Sequence, residues 1–273
     1  MSLKFQSLCL FFFLLGMTRL EATNVQPWLG NIYEFEAPLS LRLQSYSELS
    51  SGFHSIKYPS TDFFLNGSLS NALPFIGLEI EAKGAWTRKQ RGDLDQLKLT
   101  GRYIWLDDIA GDPLSVATGL SYIQAFHKSL KDPSSFHHGR SEAELFLSVG
   151  KENSMDVCRR SRWWSVLGIG AAVGQGSPWL RFDLAYEKCW AGKHELRGFI
   201  DSLWGLGAKR FLLAYFHGYG AVQHRSIDLG LRYTYLIDFF GSAGLEYSYR
   251  VYARNFPVYS HQVLAQLLFT FGL

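Results

Sequence analysis

The sequence predicts an all-β protein, an antiparallel transmembrane β-barrel of about 12 strands, with about 10–14 compatible with its turns. Three observations lead there. The chain ends on an alternating strand: Val263, Ala265, Leu267, Phe269, Phe271 and Leu273 form one wholly apolar parity, and Gln262, Gln266, Thr270 and Gly272 fall on the other. An exposed edge of that kind invites aggregation unless it pairs with another strand, as closure of a barrel allows. Period-two runs recur along the whole chain. The composition is 16% aromatic and only 19% charged, against about 25% charged for an average soluble domain.

In order, the chain opens with Lys4, an apolar core from Leu8 to Leu15 and a short polar stretch to Ala22, the pattern of a secretory signal cleaved after Ala22. Residues 23–273 then form one barrel domain. Leu39, Leu41 and Leu43 alternate with Ser40, Arg42 and Gln44. Leu65, Gly67 and Leu69 follow, then Ile76–Trp86, where Ile76, Leu78 and Ile80 oppose Glu79, Glu81 and Lys83. Further runs are Leu97–Trp105, Val116–Tyr122, Ala143–Val149, Trp163–Val173, Leu180–Tyr186, Leu196–Trp204, Phe211–Tyr219, Ile227–Tyr235 and Leu245–Val251, before the terminal strand. That makes thirteen, while single-chain bacterial barrels use an even number, so one boundary is misplaced; Trp28–Glu36 is a further candidate. A mean hydropathy of −0.02 excludes a helical membrane protein, and a net charge of +3 gives no reason to expect nucleic acid.

The turns set the rims. Gly174–Pro178, Gly205–Gly207 and Phe239–Gly241 read as short periplasmic turns. Lys151–Arg162, Lys188–His194 and Arg254–Ser260 read as outward connections, while Ser47–Asp62 and His127–Arg140 break the alternation. Cys158 and Cys189 fall beyond the far ends of the strands flanking Gly174–Pro178, so they share a rim and are expected to form a disulfide. It would close a loop of about 31 residues, worth about 3–4 kcal/mol in the chain-entropy account and less in an already closed barrel.

The polar parity supplies the expected lumen: Glu79, Glu81, Lys83, Lys98, Arg102, Glu144, Arg181, Asp183, Arg197, Asp228, Arg232, Glu246 and Arg250. Both signs occur on the same strands. Two readings compete, a narrow water-filled pore whose selectivity these charges set, and an interior filled by cross-strand ion pairs. The pore is preferred because so many charges are costly unless wet or fully paired. The pairs Glu79/Glu81 and Glu142/Glu144 share a face, as spacing by two on a strand requires, and read as lumen charge.

The chain end, with aromatics on the apolar parity, resembles the C-terminal signature of bacterial outer-membrane β-barrels, although Leu273 stands where that class most often has Phe. The resemblance implies outer-membrane location, lipid contact on the outer face and recognition of the last strand by the barrel insertion machinery. Small solutes are the expected cargo of a pore. His127 and Ser129, with Glu142 at the start of the next strand, are similar to the His-x-Ser of lipid A deacylase barrels and imply lipid hydrolysis as an alternative. Those proteins carry Asn where Leu130 stands, and their pair lies near the chain end. His137-His138 reads as a solvated loop pair. No cofactor or metal is expected, since no phosphate-binding, dinucleotide or zinc-protease motif occurs. A structural or adhesive surface barrel and a soluble exported all-β protein complete the alternatives.

Overall fold

The computed structural model describes residues 25–52, 54–156, 159–174, 176–237 and 241–272. The signal segment and Cys158 therefore lie outside the described residues.

Twelve antiparallel strands form the wall: β1 (Glu34–Ser51), β2 (His54–Ala72), β3 (Ile76–Trp86), β4 (Arg91–Leu106), β5 (Ser115–Ala125), β6 (Ser141–Asp156), β7 (Arg159–Ala172), β8 (Trp179–Trp190), β9 (His194–Gly205), β10 (Arg225–Ile237), β11 (Gly241–Arg254) and β13 (His261–Gly272). The two-residue β12 (Pro257–Val258) adds to the end of β1. Each wall strand pairs with its neighbour in sequence, and β1 pairs with both β2 and β13. The register runs from Glu34 opposite Gly272 to Ser45 opposite His261, so the ring closes and has no free edge. Phe35 and Phe271 stack at 5.6 Å across that seam.

Alternation divides the wall as the sequence implies. Leu78, Ile80, Leu99, Leu145, Leu167, Leu231 and Leu245 point outward and stay exposed. Aromatics stand toward both rims of this face: Tyr103, Trp105, Tyr186 and Trp190 toward one, Trp86 and Trp204 toward the other. That is the girdle arrangement of a strand barrel in lipid. On the inner parity Arg42, Gln44, Lys83 and Lys98 are buried.

The misplaced run is Phe211–Tyr219, which is not a strand. It lies in the connection between β9 and β10 and holds only a short 3-10 turn, Leu213–Tyr215. The physical reason is its lack of alternation. Phe211 to Phe216 is apolar at every position, so it offers no polar face to a lumen, and Phe211, Phe216 and Tyr219 bury themselves instead. Because this run reverses the count, the rims are also corrected. Residues 173–174, 176–178 and 206–224 lie at the rim opposite the termini, together with 126–140 and 255–260. Residues 191–193 lie at the rim of the termini, as do the end of β6 and the start of β7. Gly174–Pro178 and Gly205–Gly207 thus share a rim with Arg254–Ser260, and Lys188–His194 lies opposite.

Candidate functional site

Two glycines make room for the plug. A Cβ on Gly170 would lie 2.1 Å from the Trp179 ring, which its bare backbone lets lie flat against β7. A Cβ on Gly205 would lie 2.3 Å from His224. Trp179 in turn stacks on His138 at 3.8 Å. The connections 126–140 and 206–224 are locked together there. Tyr219 N donates to His137 O (2.7 Å), Gly220 N to His138 O (3.0 Å), and the Tyr219 hydroxyl to Pro133 O (2.8 Å).

Above the lumen, Phe211, Phe216, Tyr219 and Val222 pack with Phe256 onto Tyr46, Leu49 and Tyr58 of β1 and β2. Toward the other rim, the segment before β1 enters the barrel. Val25 and Trp28 pack with Phe146, Trp164, Val166 and Ala185. Trp28 Nε1 donates to Asp108 Oδ1 (2.8 Å), and the Arg162 guanidinium covers the Trp28 ring at 4.9 Å. Between the two apolar seals lies a cavity of about 200 Å³, lined by both charged and apolar side chains from most of the wall.

The expected lumen residues fall in pairs. The Lys83 ammonium meets Asp95, both side chains wholly enclosed, and Gln96 Nε2 donates to Glu81 Oε1 (3.0 Å). Glu79 faces the charges of Lys98 and Arg102, and Arg102 Nη1 also reaches Gln26 O (3.4 Å). Arg181 joins Glu144 (2.8 Å) and Asp183 (3.0 Å); Arg197 joins Glu187 (2.7 Å) and covers Trp164 at 4.7 Å. Arg250 forks onto Asp228 with two bonds of 2.7 Å, and Arg232 lies 3.9 Å from Glu246. Across β8, β9 and β10, Asp183, Asp201 and Asp228 stand directly opposite one another in register. Like charges opposite each other across strands are destabilising. Arg181, paired with Asp183, and Arg250, paired with Asp228, offset that repulsion on the two flanks of the row.

The hydrolase set is not assembled. Ser129 is buried, with its hydroxyl donating to Asp95 O (3.0 Å) and Gln90 Oε1 (3.2 Å). His127 is exposed, and the Glu142 carboxylate accepts from the backbone N–H of His138 (2.7 Å) and Gly139 (3.2 Å).

The pair read as solvated is instead enclosed: His137 is 1% and His138 6% exposed. The reason is the anchoring they find. His137 Nε2 lies 3.2 Å from Asp95 Oδ2 and its Nδ1 3.6 Å from Glu142. His138 meets Glu142 (3.6 Å) and His224 (3.0 Å, Nε2 to Nε2). Burial works against a charged His137, but Asp95 and Glu142 outweigh it and raise its pKa. Burial, then the charges of His138 and Arg250, push His224 well below the ordinary imidazole value.

Sequence reasoning missed Asp95, His224 and Trp179. Asp95 sits at a bulge where Lys83 pairs with Gln96 and Gly84 with Leu94, so Asp95 and Gln96 both turn inward. A carboxylate on the otherwise apolar parity of Leu97 and Leu99 was the available signal for that bulge.

Among solved structures, the fold is similar to an outer membrane channel from Pseudomonas putida F1, with a TM-score of 0.64 and 6% identity, covering 93% of this chain and 100% of that one. It is also similar to the NanC porin, with a TM-score of 0.52 and 10% identity, covering 84% and 98%. At these identities the likeness is one of fold: a closed barrel of the outer-membrane type. No family model matches the sequence, and no curated protein does.

Proposed function

We propose that this chain is an outer-membrane channel for small polar solutes, shut in the present conformation by its own connections. The observation that carries the reading is the position of the closure. The barrel wall is complete without residues 206–224, and a cavity with charged side chains in its lining lies beneath them. Short connections mark the periplasmic rim in this class of barrel. The rim of the termini then faces the periplasm, and the plug faces outward. Export through cleavage after Ala22, contact of the outer face with lipid, and insertion read from the last strand belong to the same proposal.

The acidic row favours cations. Discrete conductance steps are expected from refolded barrel whose gel mobility shifts on boiling, and Asp201→Asn should move the reversal potential in a salt gradient toward anions. Steps with unchanged selectivity would remove the row from the pathway. A second reading, a sealed structural barrel, is favoured by the enclosed Lys83–Asp95 pair and the Arg250–Asp228 fork; a folded barrel that never conducts, even when unplugged, would support it.

The Cys158–Cys189 disulfide belongs to the proposal too. Cys189 is buried opposite Arg160 near the rim of the termini. A thiol titration of unfolded, non-reduced mature chain is expected to find no free thiol, and a count of two would refute the bond.

A further inference from the structure

We propose that the contact between His138 and His224 is an acid-sensitive latch that holds the plug in the barrel mouth. His224 ends the plug connection, and His138 belongs to the neighbouring connection against which the plug is bonded. Their Nε2 atoms face each other at 3.0 Å, a gap that holds one proton. The Glu142 carboxylate lies 3.6 Å from His138 Nδ1 and favours the proton on that nitrogen, so His138 receives the proton of His224 at Nε2.

That arrangement leaves His224 Nδ1 without a hydrogen-bond partner, on a side chain with no solvent exposure. A second proton on the pair either enters His138 Nε2, which sets two N–H groups against each other, or enters His224 Nδ1, which leaves a charged imidazole with no hydrogen-bond partner at that nitrogen and no carboxylate beside it. Phe256 stacks on His224 at 5.2 Å and Tyr219 meets its edge at 5.2 Å. The Phe256 ring already faces the Arg250 guanidinium at 4.6 Å, and Arg250 adds like charge. From β9 Gly205 approaches His224, and it brings no charge. The groups around His224 thus comprise His138, Arg250 and Tyr219, with Glu142 behind His138.

The sign follows. His224 is held neutral, so its contribution to the plugged state is complete above about pH 6.5 and is lost as pH falls below it. His137 has the opposite linkage. Its proton is favoured by Asp95 and Glu142, so its contribution is complete in acid and lost as pH rises through its raised value. The Lys83 ammonium beside Asp95 opposes that proton without overturning it. Acid therefore loosens residues 206–224 while residues 126–140 stay docked.

The latch rests on the channel reading only for what its opening achieves, and its test needs no current. Amide hydrogen exchange of the refolded mature barrel in detergent, corrected for intrinsic rates, is compared at about pH 7.5 and about pH 5. The Tyr219 and Gly220 amides, bonded to His137 O and His138 O, should lose at least about tenfold protection in acid while the strands do not. His224→Phe suits the aromatic surroundings, and His224→Gln keeps a donor for His138; each should abolish the acid loss. Unchanged wild-type protection, or the same acid loss in whichever variant folds, would overturn the latch. A loop that opens in a barrel that never conducts would leave the latch standing and the channel reading fallen.

Discussion

Asp95→Ala is expected to destabilise the folded barrel by about 3–5 kcal/mol, because it strands a buried ammonium. Lys83 and Asp95 are both wholly enclosed, and the same carboxylate accepts from Gln90 Nε2 (3.2 Å) and anchors His137. Removing it leaves the buried Lys83 ammonium with only Gln96 Oε1 (3.5 Å) and the charge of Glu81 to hold it, and frees His137 from β4. The double variant Lys83→Met with Asp95→Leu should recover most of the loss, since no charge is then left unpaired. Urea unfolding in lipid vesicles, followed by tryptophan fluorescence, measures both. A single-variant cost below about 1 kcal/mol would show that water reaches the pair, the level of an exposed ion pair.

The second large effect is expected at the plug. Tyr219 contacts Phe211, Phe216, Phe256, His224 and Phe136, and its hydroxyl is tied to Pro133 O. Tyr219→Ala removes the ring at the centre of that cluster, at a cost of about 3–5 kcal/mol for truncation of a large buried aromatic. No wall strand loses a ladder bond, so the cost falls on docking of residues 206–224. Exchange protection of Gly220 should collapse while that of β1 and β13 persists. If the wall strands lost protection together with the loop, the plug would be part of the barrel's folding unit and not a separable closure.

The wall was legible because most of its strands show two environments at alternating positions, as Ile80 and Glu81 do; β7 is apolar on both faces from Trp163 onward and is a strand all the same. What the sequence hides is whatever departs from period two. Asp95 lies on the apolar parity of β4 and turns inward only because a bulge adds a residue there. Phe211–Tyr219 has the composition of a strand and no alternation, so counting it as wall produced an odd total and exchanged the rims. His137 and His138 read as polar loop residues because local sequence does not show that Asp95, Glu142 and His224 converge on them from β4, β6 and another connection. The charged lumen residues followed from parity, but their partners depend on register between strands, which no single strand carries.

The proposed channel requires a passage that opens when its closures are removed. Its most direct test is single-channel conductance of barrel with both seals opened, residues 208–222 replaced by a short Gly-Ser linker and Trp28→Ala on the opposite side, beside the intact chain and after the same boiling-shift check for folding. The account predicts steady open steps in the shortened barrel and rare or smaller ones in the intact chain, with cation preference in both. A correctly folded shortened barrel that remains silent would contradict it and leave a sealed structural barrel.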